Sequence, residues 1–132
     1  MHAVRTAVIR YNQRLVEAYR TRRPDLLDGI ASPTEIARTS RLITGLVARA
    51  QYMEARQDEL RFGKVRVSGP LADADTEERW AYEHRALSRP DERAPPKEAT
   101  YRLKYRLKRQ GGGWIVDEVL ELGAGTSSGG GG

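Results

Sequence analysis

The sequence predicts a small α+β domain in which three N-terminal helices pack on a four-stranded antiparallel sheet. Three observations carry that expectation. Apolar residues recur at helical spacing through the first third of the chain. After Leu60 the period drops to two, most cleanly from Tyr101 to Lys108. Glycine and proline breaks at Ser68-Gly69-Pro70 and Gly111-Gly112-Gly113 then fall between alternating runs, where hairpin turns belong.

The first helix is marked by Val4, Val8, Tyr11, Leu15 and Tyr19, which share one helical face while Arg5, Arg10, Asn12, Gln13, Arg14, Glu17 and Arg20 fall largely off it. Pro24 ends it, because the residue before a proline is disfavoured in a helix. Pro24 also suits the first turn of a short second helix through Asp25, Leu26, Leu27 and Asp28, stopped at Gly29. Ser32-Pro33-Thr34-Glu35 has the pattern of a capping box. A third helix is expected behind it to about Asp58, with Ile36, Ile43, Leu46, Val47, Ala50 and Met53 as its stripe. At that length it would cross a whole sheet.

The first strand is expected around Leu60–Val67, with Gly63 at a bulge. A turn from Ser68 through Asp73 and Asp75 leads to a second strand with Trp80, Tyr82 and His84 on one face and Glu77, Arg79, Glu83 and Arg85 on the other. Ser88 to Ala99, with three prolines among charges, reads as an exposed loop. The third strand alternates Tyr101, Leu103, Tyr105 and Leu107 with Arg102, Lys104, Arg106 and Lys108. Trp114-Ile115-Val116 leads the fourth strand to about Leu122. The domain is therefore placed at 1–122, with a flexible Gly/Ser-rich tail at 123–132.

Composition narrows the chemistry. With 132 residues, one domain is expected. The chain carries 19 Arg and 4 Lys against 18 carboxylates, for a net charge of +5, which raises the prospect of a polyanionic partner. The acids are interspersed with the cations, and nucleic acid is not the expected partner. Without cysteine there are no disulfides, zinc-thiolate sites or thiol nucleophiles, and with only His2 and His84 no metal or other cofactor is expected. Arg5 and Arg10 interrupt any apolar signal core, and no apolar run reaches membrane-spanning length, so a cytoplasmic location is the expectation.

Element order and a few short motifs point further. Tyr11 to Tyr19, Leu26-Leu27-Asp28-Gly29, Tyr101-Arg102-Leu103 and Gly113-Trp114-Ile115-Val116 give the chain a layout that resembles the nuclear-transport-factor-2-like, or cystatin-like cone, superfamily. Within it the chain is most similar to small domains related to the intermembrane-space domain of chloroplast division proteins. The resemblance implies a curved sheet wrapped around a long helix with a conical cavity at one end. Enzymatic members, such as ketosteroid isomerases and scytalone dehydratases, usually wall that cavity with an extra hairpin between the second and third helices. The step from Gly29 to Ser32 leaves no room for one, which favours the non-catalytic, partner-binding branch.

Two constellations remain as candidate sites. Tyr11, Tyr19, Trp80, Tyr82 and His84 are expected to line the cavity, where His84 and Tyr82 are the weak candidates for proton transfer. The plainer reading fills the core with the aromatics and leaves His84 half exposed near a strand end. Glu118 shares the parity of Trp114 and Val116 and is a buried acid unless a bulge turns it out. The row Arg102, Lys104, Arg106 and Lys108 is an interaction face, or else a salt ladder with Glu77 and Glu83 on one side and Asp117 and Glu121 on the other. The leading expectation is a non-catalytic protein-interaction domain, homodimeric through that charged face. The alternative is a small pocket enzyme (isomerase, dehydratase or hydrolase) or binder of an apolar small molecule, and a weaker alternative is nucleic-acid binding through the basic strand face.

Overall fold

The computed structural model describes residues 2–123 and 127–128. Helix α1 (His2–Thr21) is followed by a 3-10 turn (Pro24–Leu27) and helix α2 (Pro33–Ala48). Strands β1 (Gln51–Ser68), β2 (Leu71–Ala86), β3 (Lys97–Gln110) and β4 (Gly113–Gly123) form an antiparallel sheet in sequential order. The architecture is α+β, with two α-helices where three were expected, because the second segment closes only a single 3-10 turn.

The larger departure lies at the end of α2. The sequence extends this helix to about Asp58, but it stops at Ala48. Ala50 takes a left-handed φ of 52° and the chain enters β1 at Gln51. Met, Glu, Ala, Arg and Gln between residues 51 and 58 are good helix formers, so local propensity pointed the wrong way. Pairing with β2 wins, since every residue from Gln51 to Gln57 has a partner from Ala86 back to Trp80. The element that runs the length of the sheet is consequently α1, whose 20 residues span roughly 30 Å.

The turns behave more nearly as read. Gly69 and Pro70 alone connect Ser68 to its partner Leu71, and Gly69 supplies the positive φ of 60°. Asp73 and Asp75, expected in that turn, instead alternate outward along β2 while Ala72, Ala74 and Thr76 point inward and are buried. Gly111 and Gly112 make the β3–β4 turn at φ 60° and 83°, the left-handed pair that a two-residue hairpin needs. Register shifts occur between Phe62 and Val65, at the glycine expected to bulge, and also at Gln57/Glu59, Arg102/Leu103 and Arg106/Leu107. Bulges of this kind bend strands, which lets the sheet wrap the helices.

Two apolar clusters fill the interior. Val4, Val8 and Tyr11 pack with Leu27, Val65, Ala74, Tyr105, Leu107 and Val116, and Ala18 and Tyr19 pack with Ile43, Leu46, Ala55 and Trp80. Leu15 touches both, so α1 joins them. The free edge of β4 is covered where Val116 N–H donates to Ile30 C=O and Ser32 N–H donates to Val116 C=O, at 3.0 and 2.8 Å. Residues 28–32 thus cross directly from the 3-10 turn to α2, and no hairpin intervenes. Of the expected tail, Ser127 and Ser128 pair with Ala99 and Glu98 on β3. Residues 124–126 and 129–132 lie outside the described residues. No helix among the described residues is long and apolar enough to cross a membrane.

Candidate functional site

Between α1 and the inner face of β2 and β3 lies a cleft of about 220 Å³, walled by Tyr11, Tyr19, Trp80, Tyr82, Tyr101 and Tyr105 among others. Four of the five residues proposed for the cavity therefore meet there. Tyr11 and Tyr19 come from the buried stripe of α1, and Trp80 and Tyr82 from alternate positions of β2. Their rings are ordered by aromatic geometry. Trp80 and Tyr82 stack with centroids 5.9 Å apart, and Tyr11 meets Tyr105 edge-on at 6.2 Å. His84 is not part of the wall. It is two residues past Tyr82, exposed, opposite Met53 on β1, at the end of the sheet beyond the last turn of α2. Partial burial and the positive charges of Arg49 and Lys97 lower its pKa.

Arg38, Glu78 and Glu121 are the charged side chains that line the cleft, and two buried carboxylates, Glu78 and Glu35, organise the hydrogen bonding around it. Glu78 is buried and accepts four hydrogen bonds: from Tyr105 Oη at 2.5 Å, Thr76 Oγ1 at 2.7 Å, Trp80 Nε1 at 2.8 Å and Gln57 Nε2 at 2.9 Å. Those four donors fill a carboxylate's acceptor capacity. Asn12, also buried, donates from Nδ2 to Tyr105 Oη at 3.1 Å and to Val8 C=O at 3.0 Å. Glu35, in the first turn of α2, is also buried but is not part of the cleft lining. It accepts from Tyr11 Oη at 3.0 Å, Arg38 Nη2 at 2.8 Å and the Val119 N–H at 3.2 Å.

Glu35 also shows how a local rule was diverted. Its N–H donates to Ser32 Oγ at 3.2 Å, the first half of the capping box. The reciprocal half is missing, because Ser32 N–H is taken by Val116 C=O. The carboxylate is thereby released to join α1, α2 and β4 through three partners. Glu78 was legible and overlooked: it shares the parity of Trp80 two residues on, and that parity alone places it inward. Glu118 resolves the other way. The bulge beside Leu107 turns it to the outer face, where it pairs with Arg106 at 3.4 Å.

These groups have little capacity for acid–base work. Burial, followed by the Glu35 charge, raises the Tyr11 hydroxyl far above its ordinary range. Burial and then the Glu78 charge raise Tyr105, burial and a hydrogen bond with Tyr101 raise Tyr82, and burial raises Tyr19. All four stay protonated near neutral pH, and Tyr11 and Tyr105 donate to Glu35 and Glu78. A general base needs a free acceptor within reach of substrate; the acceptor sites of Glu78 are filled, Glu35 accepts three bonds and lies outside the cleft lining, and the other carboxylate of the lining, Glu121, is exposed.

On the outer face the cationic row falls into register with acids. Arg102 lies opposite Glu77, Lys104 opposite Asp75 and Arg106 opposite Asp73 across the β2–β3 ladder. Arg66 pairs with Asp73 at 2.7 Å, Arg61 with Glu77 at 2.8 Å and Lys108 with Asp117 at 3.5 Å. Charge therefore alternates by strand. Glu83, at the far end of β2, is an exception. It is buried, and it holds the β2–β3 loop by accepting from Ala94 N–H at 3.1 Å and Arg93 Nη2 at 3.3 Å.

No protein-family model matches the chain, and no curated protein matches it in sequence. Solved structures do match in shape. The intermembrane-space region of the chloroplast protein ARC6 superposes with a TM-score of 0.78 at 16% identity, over 92% of this chain and 95% of that one. The Kfla4162 protein from Kribbella flavida gives 0.59 at 11% identity, over 94% and 90%. An uncharacterized protein with a cystatin-like fold from Caulobacter vibrioides gives 0.54 at 14%, over 93% and 92%. At such identities the likeness is one of fold.

Proposed function

From the cystatin-like fold shared with these proteins, we propose that the chain is a non-catalytic protein-interaction domain whose cone interior is structural and whose working surface is its exterior. The observation that carries this reading is the engagement of the two buried carboxylates by neighbouring donors, Glu78 by four and Glu35 by three. The space left in the cone, about 220 Å³, also falls below the ~300–1,000 Å³ of most small-molecule pockets. The outer sheet face, with Arg102, Lys104, Arg106 and Lys108 between acidic rows, suits a homodimer. Stripes of alternating sign are self-complementary, so a two-fold copy displaced by one strand lays cations on acids.

An apolar small-molecule binder or pocket enzyme is the second reading, and it draws on the aromatic wall of Tyr19, Trp80, Tyr82 and Tyr101. Thermal unfolding of the purified chain against a panel of small apolar and acidic metabolites separates the two. Ligand at a hundred times its dissociation constant stabilises by about 2.7 kcal/mol. No shift is expected. A clear hit abolished by Tyr82→Leu would move function into the cone. Sedimentation at low salt is expected to show a dimer that dissociates as salt rises. A strict monomer would remove the homodimer and leave the search to other proteins.

A further inference from the structure

A second groove, at the opposite end of the molecule from His84, has a different electrostatic character from the sheet. It holds about 590 Å³ between the first turns of α1 and the β3–β4 hairpin. His2, Thr6 and Arg10, four residues apart and so stacked on one face of α1, form one wall. Arg109, the glycines of the turn and Trp114 form the other, over a floor of Gly29 and Ile30.

Among the described residues, no carboxylate lines this groove. Arg10 and Arg109 take part in none of the ion pairs among the described residues; Arg102 and Lys104 on the sheet take part in none either, but they lie opposite Glu77 and Asp75, whereas no acid lines the groove. Arg109 is nonetheless held in place, with its guanidinium 4.7 Å from the Trp114 ring centroid. That contact fixes the cation without neutralising it. The first turn of α1 contains no acidic residue, so the positive end of the helix adds to the same field.

We propose that this groove docks a short acidic peptide segment of a partner protein, its carboxylates meeting Arg10 and Arg109. The idea rests on the protein-interaction reading above and gives it a location. Extent favours a peptide over nucleic acid. Among the described residues, only two guanidinium groups, those of Arg10 and Arg109, line the groove, too few to neutralise a run of phosphates. The turn at Gly111 to Gly113 offers main chain without side-chain bulk, open to a peptide lying across it.

The test uses the full chain and a labelled octapeptide of alternating Glu and Gly, its Gln counterpart, and an oligothymidylate of equal charge, each titrated at low salt. The Glu peptide is expected to bind, the Gln peptide not. Arg10→Ser/Arg109→Ser should weaken Glu-peptide binding at least tenfold, and Arg41→Ser/Arg49→Ser, the same change of charge at exposed positions away from the groove, less than threefold. If the double variant does not fold, Arg10→Ser alone carries the test, since Arg10 is exposed on the helix surface. Equal losses in both double variants, no Glu-peptide binding, or tighter binding of the oligonucleotide would each overturn the proposal. A salt-sensitive dimer without peptide binding would overturn this groove and leave the interaction reading intact, and a metabolite hit in the cone would overturn that reading itself.

Discussion

The inner and outer faces of the sheet are built from the same residue types and solve opposite problems. Inside, Glu78 and Glu35 are removed from water, and seven hydrogen bonds fix them to named donors. Outside, Arg106–Glu118 and Lys108–Asp117 are pairs at 3.4 and 3.5 Å whose side chains remain about half exposed. A buried polar group left without its partner costs the full desolvation penalty, whereas an exposed pair exchanges protein contacts for water at nearly even terms. The interior polar groups therefore specify one arrangement of α1, α2 and the sheet. The exterior ones leave the fold largely indifferent and are available for recognition.

The largest way to break that contrast is to remove Glu78. Glu78→Ala strands Tyr105 and Trp80, whose rings are locked in the core, together with Gln57 and Thr76. The expected loss is about 3–4 kcal/mol in denaturant unfolding, a large share of a domain's ~5–15 kcal/mol. Glu78→Gln keeps the shape but places an amide donor among donors, and is expected to cost about 2 kcal/mol. If both variants unfold like the parent, water serves these donors and the interior is more open than its hydrogen bonding implies.

How much of this could be read in advance differs between the two faces. Strict alternation placed Tyr101 to Lys108 correctly, because a strand's period of two is fixed by backbone geometry alone. The aromatic wall followed from the same parity on β2 and from the helical stripe of α1. What failed was decided at long range. Residues 51–58 are strand because β2 is there to pair with, and their own propensity is helical. Glu35 left its capping box because Val116 claimed the Ser32 N–H from across the chain. His84 missed the cleft because parity gives a face and says nothing of how far along a strand the helices reach. The second groove was invisible for a related reason: His2, Arg10 and Arg109 are joined only once α1 lies against the last hairpin.

Glu83 stands between the two regimes and sharpens the comparison by pH. Burial alone would raise its carboxyl, but the Ala94 N–H and the charges of Arg85 and Arg93 outweigh burial and hold it below the ordinary 4.5. A folded value below the unfolded one means that the contribution is fully present above about pH 4.5 and is lost as pH falls through the depressed folded value. The protection factor of the Ala94 amide in hydrogen exchange is expected to be constant from neutral pH down to that point and to fall below it. Glu83→Gln should show low protection throughout. A wild-type protection factor that ignores acidification would mean that the loop is held by something other than this carboxylate.

The smallest expected effect is on the outer face, and its smallness is the content of the prediction. In a double-mutant cycle with Arg106→Ala and Glu118→Ala, a coupling of about 0.5 kcal/mol or less is expected, shrinking further as salt is raised. Both side chains are about half in water, at 58% and 47% exposure, so their attraction is screened and offset by the cost of ordering two long chains. The same pair measured under dimer-forming conditions carries more information. If the charged face is buried against a second copy, the coupling must grow with protein concentration, because desolvation strengthens a pair that water otherwise weakens. A coupling that is small and independent of concentration would leave the sheet face to solvent and place recognition elsewhere on the surface.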